Sequence, residues 1–208
     1  MIEHTPWRGQ IYRLGIGGQR IAIVAYSHHR KPDEDDHDGF TGSVVRDVIT
    51  GKLKGDSLFA QVMGYFRYDH QATFWNLVMF FNFLPDCIGV TDQRYEKGTK
   101  EQIDRGKERF LRIIREKYPP HKVVVFTSRG WRDFPRTSQE EAGKARIPLG
   151  TNFPKFSWGT YACDDYIVMA FGLRHPQYAS GQLMRLAVQH ILKMPHVEGC
   201  SNWPATGS

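Results

Sequence analysis

Cysteine is scarce in this chain. Its three residues, Cys87, Cys163 and Cys200, are scattered and odd in number. That pattern excludes a disulfide framework and a four-cysteine zinc or iron–sulfur site. Long apolar runs are missing too. The longest, "LVMFFNFL", is broken by Asn82 and falls far short of a bilayer span. The opening "MIEHTPWRGQ" has neither the basic start nor the apolar core of a signal peptide. A cytoplasmic protein with no membrane partner is expected. No internal repeat or low-complexity linker divides the sequence, so the expectation is a single domain over 1–194 and a loose tail over 195–208.

What the chain does have is base. Lys plus Arg number 28 against 22 acids, giving a formal net charge of +6. The acids concentrate in "AYSHHRKPDEDDHDGFTG" (25–42), which holds three histidines and five carboxylates. The remainder is more basic than the net charge suggests, which suits a polyanionic partner such as nucleic acid.

Periodicity orders the rest. "RIAIVAY" (20–26) reads as a buried strand, "TGSVVRDVITGKL" as a helix, and "SLFAQVMGYF" as a second short helix. "TFWNLVMFFNFLP" (73–85) is aromatic and branched and reads as a second buried strand. Thr99 and Gln102 have capping-box spacing ahead of a long helix whose Ile103, Phe110, Ile113 and Ile114 share a side. "KVVVFT" is a third strand running into a short helix. Residues 135–160, polar and dotted with Gly and Pro, read as a long loop. "YIVMAF" (166–171) is a strand, "GLRHPQYAS" a loop, and "SGQLMRLAVQHILKM" a closing helix with Ser180 as N-cap. Strands separated by helices indicate an α/β protein, a three-layer α/β/α sandwich around a central, mostly parallel four-stranded sheet.

In such folds ligands sit beyond the carboxyl ends of the strands. That rim would gather the acid–histidine loop, Asn82 and "RHPQ" (174–177). His28, His29 and His37 with Asp33 to Asp38 are metal-ligand types, but their spacing matches no defined metal motif, and no metal or other cofactor is expected. A catalytic carboxylate with a histidine at the strand end is the functional reading; the competing one is a solvated acidic loop. Asn82 inside an apolar strand is either satisfied by neighbouring backbone or reads the edge of a base. Phe40 is either core or a stacking face for a ring. His175, held by Pro176, is either a surface histidine or a donor to a leaving group.

With these pieces in order, the chain resembles the uracil-DNA glycosylase superfamily from about Arg20 to Met194. "FFNFLP" sits where the family carries its base-reading asparagine, and "RHPQYAS" where its second motif begins with His-Pro. "GTKEQIDRGKERFLRIIREKYPPHKVVVFTSRGW" resembles its long helix, proline, strand and glycine turn. Ser27-His28, "FTGSVV" and "FWNLVMFFNF" are similar to a divergent glycosylase-like subgroup. The first motif departs: Ser27-His28-His29 replaces Asp-Pro-Tyr, Tyr26 stands where related branches place Glu or Asn, and Gln177 follows Pro176 in place of Ser.

The resemblance implies a DNA glycosylase acting on damaged or modified DNA, as a monomer and without cofactor. Phe40 would stack on the base and Asn82 read it, with Ser27, His29 and Tyr26 lining the pocket. His175 would stabilise the leaving group. Asp36 or Asp38, with Asp33 and Glu34 as alternatives, would stabilise the sugar cation, and His28 would share that role. Arg129, Arg132, Arg174 and Ser180 would contact DNA, and Tyr178 would wedge into the vacated stack. The altered first motif leaves two substrates open: uracil or a related damaged pyrimidine, and a hypermodified pyrimidine of phage DNA, which implies antiviral defence. Two other functions also stand open at this level, a metal-dependent nuclease or phosphoesterase and a non-catalytic DNA-binding module.

Overall fold

Strands covered on both faces read as unbroken apolar runs, and four segments of this chain do so in space. The computed structural model describes residues 2–29, 33–53, 58–89, 97–135, 143–145, 156–163 and 166–196. In β2 (Ile21–Ala25), β3 (Met79–Asn82) and β4 (Lys122–Val125) every residue is buried, and β7 (Tyr166–Gly172) is buried except at its ends. These four run parallel in the order β3-β2-β4-β7.

The sheet is wider and more mixed than the sequence suggested. Among the described residues it has seven strands, in the order β1-β3-β2-β4-β7-β6-β5. β1 (Trp7–Arg8) adds antiparallel to β3 on one edge. On the other edge, β6 (Phe156–Cys163) runs antiparallel to β7, and β5 (Gly143–Ala145) antiparallel to β6. The expected 135–160 loop is therefore strand over 143–145 and 156–160; 136–142 and 146–155 lie outside the described residues. Pairing with β7 supplies the ladder that Gly and Pro content alone argued against.

Six helices are described: α1 (Phe40–Ile49), α2 (Leu58–Tyr65), α3 (Gln71–Leu77), α4 (Lys100–Ile113), α5 (Ser128–Asp133) and α6 (Gly181–Lys193). Ile21, Ile23 and Ala25 pack with Val45 of α1, Val62 of α2, Trp75 of α3 and Val188 of α6. Ala22 and Val24 pack on the opposite face, with Phe110 of α4 and Phe134 just after α5. Helices thus cover both faces of the sheet. Thr99 closes the capping box with Gln102, each accepting from the other's backbone N–H at 3.1 and 2.9 Å.

One segment read as strand is half helix. "QATFWNL" forms α3, and strand begins only at Met79. The Trp75 indole N–H donates to Gln71 Oε1 at 2.6 Å, the Trp7 indole N–H donates to the Trp75 carbonyl at 2.8 Å, and Phe74 and Trp75 are both fully buried. Packing between α2 and β3 overrides the β-propensity of these aromatics. No described helix is long and apolar enough to cross a membrane.

Candidate active site

Parallel strands end together. Ala25 pairs with Asn82, Val24 with Val125, and Val125 with Gly172, so the loops after β2, β3, β4 and β7 leave from one rim. At that rim Asn82 is 2% exposed. Met79 and Phe81 pack on the α4 face and Phe80 on the other, so alternation puts the Asn82 side chain on the face of α1 and α6. Its amide Oδ1 and Nδ2 are both buried with no hydrogen-bond partner in the protein. Such groups are seldom left unmatched, because an unpaired buried amide forfeits its water.

The Asn82 backbone is clamped. Arg109 of α4, 1% exposed, donates from Nη1 to the Asn82 carbonyl at 2.7 Å and from Nη2 to the carbonyl of His4. Burial pulls the Arg109 pKa down to about 10, which leaves it charged at neutral pH. Close approach of α4 makes the clamp possible: a Cβ on Gly106 would meet the Phe83 carbonyl at 2.8 Å.

His4 comes from the N-terminal segment, which sequence reasoning passed over. Its N–H donates to the Pro85 carbonyl at 2.6 Å, and the N–H of Thr5 donates to the Asp38 carbonyl at 2.7 Å. The ring lies nearly parallel to Phe40, 5.4 Å between centroids and 17° apart, and edge-on to His28 at 5.3 Å. Its Nε2 bonds Asp36 Oδ1 at 2.5 Å, and Asp36 Oδ2 accepts from the Cys87 backbone N–H at 3.0 Å. Burial works against the Asp36 carboxylate, but the His4 ring and the Cys87 N–H outweigh it and hold the pKa below the usual carboxylate value.

His28 is 9% exposed and bonds Thr41 Oγ1 through Nε2 at 3.1 Å. Burial first, then the neighbouring His4, depresses its pKa to about 3, so it is a neutral core imidazole. Phe40 is buried at the start of α1, with His4 on its face and His28 and His37 tilted against it. It is a platform already carrying an imidazole.

His175, half-buried, caps the 3-10 turn Pro176–Tyr178 by accepting from the Gln177 N–H at Nδ1, 3.2 Å away. An occupied Nδ1 lone pair assigns the neutral ring's proton to Nε2. Burial lowers its pKa and favours that neutral donor form.

The remaining candidates disperse. Tyr26 turns to the opposite face, where its hydroxyl donates to Asp133 Oδ2 at 3.1 Å. With Lys97, Gly98, Ile103, Arg132 and Asp133 it lines an open cleft of about 290 Å³. Asp38 is exposed; Ser27, His29 and Glu34 are half-buried; Asp33 is exposed. Arg132, Arg174 and Tyr178 are exposed around the rim, Tyr178 by 62%. Ser180 is the N-cap of α6 without a side-chain capping bond. The side chain of Arg129, residues 197–208 and Cys200 lie outside the described residues.

The one cluster of metal-ligand types among the described residues is His4, Asp36 and Cys87, with donor atoms within 4.8 Å of one another. It is not the His28, His29 and His37 set of the acidic loop. A ligating histidine hands its second ring N–H to an acceptor, and His4 Nδ1 has no partner. The donor set therefore fits a carboxylate–imidazole pair better than a metal centre. The sequence carried one usable sign of this site: Arg109 stands in the apolar stripe of α4, three residues after Gly106 and next to Phe110. His4 carried none.

Compared with known proteins, the chain matches no protein-family model and no curated sequence.

Proposed function

We propose that this chain is a DNA glycosylase. It hydrolyses the N-glycosidic bond of a flipped-out pyrimidine and leaves an abasic site. The fold it would use is the three-layer sandwich of the uracil-DNA glycosylase superfamily, whose parallel core corresponds to β3-β2-β4-β7, with the antiparallel edge strands as additions.

The observation that carries this reading is Asn82. An amide buried at the rim with acceptor and donor both unspent is shaped to meet a ligand that offers a donor and an acceptor side by side, as the edge of a pyrimidine does. His175 supports it. A neutral imidazole with Nε2–H free to donate stabilises negative charge on a departing base without having to lose a proton. Phe40 forms the aromatic wall, with His28 buttressing it, and the exposed Arg132, Arg174 and Tyr178 meet the DNA backbone and the vacated stack. Substrates are uracil-type lesions or bulky 5-modified pyrimidines such as glucosylated 5-hydroxymethylcytosine in phage DNA, the latter placing the protein in cytoplasmic antiviral defence.

The test is an excision assay in EDTA on DNAs carrying uracil, 5-hydroxymethyluracil, hypoxanthine, 5-hydroxymethylcytosine or its glucosylated form, followed by alkali. Alkali-dependent breaks at one base, lost in Asn82→Ala and His175→Ala, are expected. Breaks that need added metal would assign a nuclease instead, and binding without product a non-catalytic module.

A further inference from the structure

The proposed reaction needs a group that takes a proton from water, and the one carboxylate in the buried cluster, Asp36, has both oxygens engaged. Asp36 commits Oδ1 to His4 Nε2 and Oδ2 to the Cys87 N–H. Asp38 is turned to solvent. His28 is tied to Thr41.

We propose that His4 is the general base and Asp36 its positioning residue, with His4 Nδ1 the atom that accepts the proton. The inference rests on the glycosylase reading and replaces the carboxylate that the first motif lacks. Three observations carry it. An ionised Asp36 on Nε2 selects the tautomer protonated there, which leaves the lone pair on Nδ1. That Nδ1 is buried and unpartnered, an acceptor kept unsatisfied at a functional rim. The ring cannot drift, because its backbone is held at the N–H by Pro85 and at the carbonyl by Arg109, and its face by Phe40. Arg109 bonds the carbonyls of His4 and Asn82 together, so the residues carrying the unpartnered Nδ1 and the unpartnered amide sit on neighbouring backbones. Both are closed to solvent, so the proposed step requires the loop at 33–38 to move aside when DNA binds.

In the step itself, water attacks the anomeric carbon while the bond from that carbon to the base nitrogen breaks. The bonding pair leaves with the base, held by His175 Nε2–H. One water proton passes to His4 Nδ1 and is released to solvent, and the base anion takes up one proton from solvent. One water is consumed for one free base and one abasic sugar.

The groups facing His4 are Asp36, Cys87, His28 and Arg109. The experiment compares wild type, His4→Gln, His4→Ala and Asp36→Asn on whichever DNA the excision panel selects. A loss of roughly 10²- to 10⁴-fold in kcat with DNA affinity retained is expected, together with loss of the acid limb of the pH–rate profile in His4→Gln. Added imidazoles should restore His4→Ala in order of their basicity, which a merely structural role would not produce. Imidazole ¹⁵N spectra of the wild type should show His4 protonated at Nε2. Excision by the wild type with variants within threefold of it, or a His4 protonated at Nδ1, overturns this inference alone. A wild type inhibited by EDTA makes His4 a metal ligand and overturns it as well. A wild type silent on every base overturns the glycosylase reading and this inference together.

Discussion

Asn82 and His28 are opposite uses of a buried polar side chain. Asn82 keeps its amide unspent, at a cost of about 1–3 kcal/mol for unsatisfied buried polar atoms. Asn82→Leu, which removes them in a similar volume, should leave stability unchanged or raise it by about 1 kcal/mol while abolishing excision. Thermal melts beside the excision assay check this, and a large loss of stability would mean that the amide is paired. His28 is spent entirely on the core. Its folded pKa of about 3 lies below the unfolded value, so the unfolded chain binds the extra proton. Stability is therefore complete above about pH 6.5 and falls by about 1.4 kcal/mol per pH unit below it, down to about pH 3. Denaturant melts between pH 4 and 7 should show that slope from His28 on top of the smaller contributions of His175 and Asp36, and His28→Phe should remove His28's share.

Among the elements, α4 and β4 do more than cover the sheet. α4 brings Arg109 to two backbone carbonyls that no helix dipole or solvent serves. Arg109→Ala should cost about 3–5 kcal/mol, since it strands both buried acceptors and opens a cavity. Arg109→Lys should recover little of it, because one ammonium does not reproduce the fork. β4 begins with Lys122, fully buried, whose Nζ donates to the carbonyls of Ile191, Leu192 and Met194 at the end of α6. Burial lowers its pKa to about 8, so it remains an ammonium at neutral pH and complements the negative end of the helix. Lys122→Met should destabilise by about 2–3 kcal/mol, read by urea melts. α4 was legible because its capping box and apolar stripe are local signals. α3 was not, because its aromatics favour strand until the neighbours that bury Trp75 are in place.

Taken whole, the molecule sets one rim of four parallel strand ends under a basic chain of net charge +6. On the proposed DNA glycosylase reading, affinity for DNA should fall linearly with log salt concentration, and Arg132→Ala and Arg174→Ala should each reduce the slope by about 1. Fluorescence anisotropy across a salt series measures it; unchanged slopes would move the DNA to another face. The N-terminal segment belongs to this scale as well, since it joins the first residues to the loops at 36–38 and 85.

The existence of most of the inner strands, the helix caps and the rim positions of Asn82 and His175 follow from local pattern: apolar runs, capping spacing and a proline after histidine act between residues close in sequence. The strand order is set by packing. The pairs that build the candidate site do not follow from local pattern either. His4 meets Asp36 across 32 residues, Arg109 meets Asn82 across 27 and His4 across 105. The acidic loop advertised five carboxylates and three histidines, yet only the packing of the N-terminal segment against Phe40 selects Asp36 from among them. Which charge is buried, and against what, is a property of contacts between distant segments. Composition says that the groups are present, and only the folded chain decides which of them face one another.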